Sequence, residues 1–177
     1  MGYGFYIDIE KCSGCYACAV ACMDQNDLLV EGKGDNAWRR VYKVESGVYP
    51  EVTISFITLS CMHCRDAPCV MGCPTGALSQ DIVSGMVTIN TGICIGCHSC
   101  AIACPFGAPR FGRDEKMQKC NMCLERVNHG LEPACVHTCT TKALKFGTIN
   151  EILNEVGFGV ANKLLPPYRL IKTPQNG

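Results

Sequence analysis

Two runs of four cysteines, close enough to form one folded unit, fill residues 61–105: Cys61, Cys64, Cys69 and Cys73 followed by Pro74, then Cys94, Cys97, Cys100 and Cys104 followed by Pro105. The second run reads C-x2-C-x2-C-x3-C-P, and the first differs only in a longer middle gap. Three thiols at a spacing of three wrap a single tight loop, whose backbone N–H groups can point at a shared anionic centre. The fourth rides on the short helix that follows and faces elsewhere. One run is therefore an incomplete site, and two runs related by a local pseudo-twofold can complete each other. This is the spacing of thiolates that hold [4Fe-4S] cubanes, three on one cluster with the fourth reaching another.

The logic repeats outside this unit, with Cys12, Cys15, Cys18 and Cys22 before it and Cys120, Cys123, Cys135 and Cys139 after it, so all 16 cysteines are used. The expectation is four [4Fe-4S] clusters in an α+β fold: two bacterial-ferredoxin-like two-cluster modules, the inner inserted into the outer, with a β-hairpin insertion. The boundaries that follow are a single compact domain over 1–177, an inner module over about 60–111, an outer module over about 3–25 plus 115–149, an insertion over 26–59 and a C-terminal tail over 150–177.

Sixteen cysteines in 177 residues would also suit a secreted disulfide scaffold. Tight local runs, however, suit a common centre better than bridges between distant loops, and the N-terminus shows no apolar signal region. Zinc is the rival chemistry, because Cys120-x2-Cys123 with Cys135-x3-Cys139 could form a variant ribbon. The other three runs could not, which leaves a zinc-stabilised interaction module as the alternative of a different class. A cysteine-based catalyst would need a spare thiol, and none is left. The 47% hydrophobic fraction counts the cysteines, so clusters must replace part of an ordinary core and folding is coupled to metal. A net charge of zero without a polybasic run argues against nucleic acid as a partner. No stretch approaches the roughly 18 apolar residues of a membrane span.

In chain order, alternation over Tyr3–Ile9 predicts a strand that delivers Cys12 to the first loop, and Cys18–Asp27 has helical spacing. Gly32 and Gly34 mark a loop, and Trp38–Glu45 and Val52–Leu59 read as strands joined around Ser46-Gly47. Arg39-Arg40 reads as a solvated or interface pair. Leu78 opens a short strand whose partner is Met86–Asn90, Glu115–His129 reads as a helix closed by Gly130 and carrying Cys120 and Cys123, and Ile149–Val156 suggests a last short helix. The segment Phe158–Gly177 has too little periodicity to fold alone and is expected to lie across the body or a partner. His63, His98, His129 and His137 read as groups beside the clusters, since thiolates already complete every site.

The string Lys119-Cys120-x2-Cys123-x2-Arg126, Gly130-x2-Pro133-Ala134-Cys135-x3-Cys139 and Ala143-Leu144 is far narrower than paired cysteines. On it, and on the runs before it, the sequence from about Tyr6 to Ile149 resembles the four-cluster iron–sulfur (beta) subunits of the molybdenum or tungsten bis-pterin oxidoreductases, of the dimethyl-sulfoxide and polysulfide reductase type. The resemblance implies four ligand sets: Cys12, Cys15, Cys18 with Cys139; Cys120, Cys123, Cys135 with Cys22; Cys61, Cys64, Cys69 with Cys104; and Cys94, Cys97, Cys100 with Cys73. Respiratory nitrate reductase beta subunits have Trp at the position of Cys97 and a three-iron cluster, which this protein is not expected to share. Nor does its tail resemble the formate dehydrogenase subunits that end in a membrane helix.

What the resemblance implies for function is a non-catalytic relay of single electrons between a molybdenum- or tungsten-pterin catalytic subunit and a membrane-anchor (quinone-linked) or flavin subunit. A similar subunit serves tungsten aldehyde oxidoreductases, which is the alternative placement. The compartment implied is cytoplasmic, or periplasmic by co-export with a partner.

Overall fold

The computed structural model describes residues 2–28 and 36–156. The expected loop at Gly32 and Gly34 and the expected tail from Phe158 lie outside the described residues. The elements, in order, are β1 (Tyr3–Ile7), α1 (Ala17–Gln25), β2 (Arg40–Val48), β3 (Glu51–Leu59), α2 (Pro68–Met71), β4 (Leu78–Gln80), β5 (Val87–Ile89), α3 (Ser99–Ala103), β6 (Arg110–Phe111), β7 (Met117–Gln118), α4 (Leu124–Asn128), α5 (Ala134–His137), β8 (Leu144–Thr148) and α6 (Ile149–Val156). Mixed short helices and strands give the expected α+β class.

The strands pair only in twos, all antiparallel: β1 with β8, β2 with β3, β4 with β5 and β6 with β7. The first pair runs from Tyr3↔Thr148 to Ile7↔Leu144 and so ties the first residues to others far along the sequence. Helix α1 packs on α5, and α6 packs on both β1 and β8, while α2 packs on α3 in the middle of the sequence. Two-stranded ladders are marginal alone. Here they close over cysteine-rich cores: Cys18, Cys135 and Cys139 with Val136, Ala143 and Leu144 in one, and Cys69 and Cys100 with Leu78, Val87 and Met117 in another. A third, smaller core joins Cys61, Ala108 and Cys120.

Local chemistry moved several expected boundaries. β1 stops at Ile7 because the Asp8 carboxylate accepts the N–H groups of Glu10 (3.1 Å) and Lys11 (3.2 Å), turning the backbone toward Cys12. The hairpin turns at Tyr49-Pro50, not at Ser46-Gly47: Gly47 lies within the ladder opposite Val52, at φ +97°, where an added Cβ would sit 2.1 Å from the Glu51 carbonyl oxygen.

The expected helix over Glu115–His129 is the largest correction. Only Leu124–Asn128 is helical, because Met122 (φ 57°) and Cys123 (φ 51°) are left-handed in succession and break any helix before them. Met117 and Met122 are both buried, the first in β7 and the second in the left-handed turn. Arg39 is a further correction. It is 1% exposed, neither solvated nor at a surface.

Candidate metal centres

Each cysteine run opens with the same backbone device. The residue before the second cysteine has positive φ in all four runs: Gly14 (67°), His63 (44°), Gly96 (67°) and Met122 (57°). That left-handed residue bends the loop so that the flanking thiols face a common side. In two runs the loop is tight enough to need glycine: a Cβ on Gly14 would lie 2.4 Å from Phe56, and one on Gly96 would lie 2.7 Å from the Glu115 carbonyl oxygen. Helices α1 and α3 then start from left-handed Tyr16 and His98, and carry Cys22 and Cys104 away from the loops that precede them.

Two sets of four thiols each line one cavity, and the other eight lie near one another. Cys12, Cys15 and Cys18 line a cavity with Cys139, and Cys94, Cys97 and Cys100 line another with Cys73. Cys22 lies close enough to Cys120 and Cys135 to feel their charge, and Cys123 feels Cys120. Cys64 and Cys69 likewise feel Cys104, which also packs against Cys61. Hydroxyls edge the cavities: Thr58 Oγ1 lies 3.6 Å from Cys18 Sγ, and Cys97 Sγ lies 3.4 Å from Ser99 Oγ. Among the described residues no three His, Cys, Asp or Glu side chains converge on a single metal ion. Four thiols spread around a cavity match a polynuclear cluster, whereas one zinc ion draws its sulfurs to about 2.3 Å.

The electrostatics of the four groups differ. Burial pushes the Cys22 thiol up to about 12 and those of Cys61 and Cys135 to about 11. At Cys73 burial acts the same way, but the N–H groups of Leu78, Thr75 and Ala77 and the Thr75 hydroxyl outweigh it and lower the thiol. The Ser99 hydroxyl and N–H lower Cys97, and the Ala17 N–H lowers Cys15. A thiol must ionise to bind metal, so the buried groups give up tightly held protons on loading.

Two buried cations face these thiols. Arg39 lies beside Cys135, Cys120 and Cys18. Lys119 is pushed down by burial and up by Cys61, Cys120 and Cys69, and it donates to the carbonyl oxygens of Val87 and Cys120. The histidines divide. His63 is buried, accepts the Val87 N–H at 3.0 Å through Nδ1, and is pushed down to about 3 by burial and by Lys119. His98 stacks on Phe111 at 3.7 Å, and the side chain of His137 is 72% exposed. Sequence reasoning singled out the cysteines but missed Arg39, Thr58 and Ser60. The available signal was an arginine between Trp38 and a strand with no acidic residue beside it.

A family profile described as a 4Fe-4S dicluster domain matches residues 52–149, more than half of the sequence. The protein is 38% identical to the B subunit of anaerobic dimethyl sulfoxide reductase of Escherichia coli over 96% of its own length and 85% of that subunit. It is 37% identical to the Haemophilus influenzae subunit of the same name over 93% and 83%, and 37% identical to Protein NrfC of Escherichia coli over 94% and 74%. It belongs to the dimethyl-sulfoxide-reductase type of iron–sulfur electron-transfer subunits. Members of this family carry [4Fe-4S] clusters and relay electrons within oxidoreductase complexes, and this sequence has 16 cysteines to hold such clusters. Among the described residues no helix is long and apolar enough to cross a membrane.

Proposed function

We propose that this protein is the non-catalytic electron relay of a molybdenum- or tungsten-pterin oxidoreductase, passing single electrons between that catalytic subunit and a membrane-anchor or flavin partner. Its ligand sets are Cys12, Cys15, Cys18 with Cys139; Cys22 with Cys120, Cys123, Cys135; Cys61, Cys64, Cys69 with Cys104; and Cys73 with Cys94, Cys97, Cys100. The nested architecture follows from the same exchange: the outer sets join the two ends of the sequence, and the inner sets join neighbouring runs. The observation that carries the reading is the gathering of Cys139 with Cys12, Cys15 and Cys18 around one cavity, beside the β1–β8 ladder. When bound, the clusters supply one-electron chemistry. The protein's own part is to space them, to exclude water and to set their charge environment. Placement beside a molybdenum or tungsten subunit is supported by identity to the dimethyl sulfoxide reductase B subunit.

Anaerobic purification from the native extract tests the reading. The protein is expected with about 16 iron and 16 sulfide, four clusters of four each, together with a larger pterin-containing subunit. Zinc without sulfide, or a stable free protein with no partner in the native extract, would overturn it.

A further inference from the structure

Arg39 is among the largest fully buried side chains of the protein. Its guanidinium lies 4.5 Å from the centre of the Phe5 ring, and Nη2 donates to the neutral Ser60 hydroxyl at 2.9 Å. Nε and Nη1 are buried without a nitrogen or oxygen partner among the described residues, and the guanidinium lies within hydrogen-bond reach of the Cys135 thiol. A buried cation facing only neutral groups costs several kcal/mol, so its environment must supply negative charge. The groups around it are thiols from two of the proposed sets: Cys18 from one, and Cys135, Cys120 and Cys123 from another. Its backbone N–H also points at the Cys22 sulfur. When clusters are bound these sulfurs are anionic, and each one-electron reduction adds a further negative charge near the same guanidinium.

We propose that Arg39 is a positioning residue shared by two clusters, those held by Cys12, Cys15, Cys18, Cys139 and by Cys22, Cys120, Cys123, Cys135, and that its charge raises the reduction potential of both. This rests on the ligand sets proposed above. A fixed positive charge in a dry interior favours the reduced, more negative form of each neighbour. The groups flanking the Cys73, Cys94, Cys97 and Cys100 cavity contain no such charge: Leu78, Ile89, Phe111 and Met117 are apolar, and His98 sits on Phe111. Lys119, whose ammonium donates to two carbonyl oxygens, faces Cys61 and Cys69 of a third set as well as Cys120.

The test is an anaerobic redox titration of the full-length protein in its complex, followed by low-temperature magnetic resonance, with Arg39→Gln and Arg39→Lys beside the native protein. Signals are assigned by their loss in Cys12→Ser and Cys22→Ser. Arg39→Gln is expected to lower the reduced-to-oxidised ratio of those two clusters about tenfold at a fixed potential, about 59 mV for a one-electron couple. The other two clusters keep their potentials, and Arg39→Lys restores both. Unchanged potentials, a shift confined to one cluster, an equal shift in all four, or no rescue by lysine overturns the proposal. Should Arg39→Gln fail to load, Ser60→Ala decides. Freeing Nη2 must shift the same two potentials by a smaller amount, and a shift elsewhere or none overturns it. The ligand sets fail separately, if Cys22→Ser and Cys135→Ser remove different signals.

Discussion

The quartet around Cys22 and the quartet around Cys97 are built from the same loop, yet they sit in opposite surroundings. Cys22, Cys120, Cys123 and Cys135 are all buried, with Arg39 against them. Cys97 is exposed, Cys73 and Cys94 are half-buried, only Cys100 is buried, and the rim carries the exposed Ile95. One loop geometry therefore sits either in the core or at the surface, and only what packs around it decides which. The difference predicts that the first site holds the fold together and the second exchanges electrons with a partner.

The sharpest break would come from removing one ligand in each. Cys22→Ser is expected to leave a protein that has lost that one cluster and melts far below the native protein, because a buried cation and a metal-filled core lose their counterpart together. Cys73→Ser is expected to leave a folded protein with three clusters, and its spectrum should match that of Cys94→Ser. Iron content and thermal melting check both. Equal stability of the two variants would erase the contrast, and a Cys73→Ser spectrum matching Cys61→Ser would show that each run ligates its own cluster.

Oxygen and acid should then rank the sites in opposite orders. In air, the exposed quartet is expected to lose its signal first, since oxidants reach Cys97 directly. In acid the order reverses. A thiol raised in the fold keeps its proton in the empty site; that contribution to stability is whole below the ordinary thiol value of 9.0 and is lost as pH rises through about 12 at Cys22. Loading must expel the proton, so affinity weakens as pH falls; at the buried quartet the weakening begins at a higher pH than at the other, where Cys73 and Cys97 are lowered, and leaves it the weaker site in acid. Equilibration with a chelator at stepped pH under argon should empty the Cys22 site at the higher pH. The same order in both experiments would mean that access alone governs retention.

The smallest effects are expected at backbone positions. Gly76, at φ +64°, has nothing within 4 Å of a Cβ, so Gly76→Ala should cost about 1–2 kcal/mol from the left-handed conformation alone. Gly14→Ala meets Phe56 at 2.4 Å as well and should cost more. Anaerobic melting curves measure both, and equal losses would show that the Phe56 ring moves aside freely.

Cysteine spacing made the loops and the α+β class legible, because a tight run leaves little freedom in where its sulfurs point. Periodicity worked where side chains pack on one face, as at β1 and α1. The helix expected over 115–129 fails because the thiol loop imposes two left-handed residues, so that it begins only at Leu124. Arg39 was illegible for a different reason. A charged residue reads as exposed until its counter-charge is known, and here that comes from thiols distant in sequence and brought together only by the fold.

The ladder that joins Tyr3–Ile7 to Leu144–Thr148 also sets a timetable. A polypeptide emerging from the ribosome presents Cys12, Cys15 and Cys18 early, but Cys139 and the strand that closes over it come more than a hundred residues later. The middle runs meet their partners within about forty residues of each other. Biogenesis should thus fill the centre first and the ends last. A nascent polypeptide halted after residue 111 would hold its inner complement of iron while its first loop still waited, open to chaperones that keep unpaired thiols from oxidising.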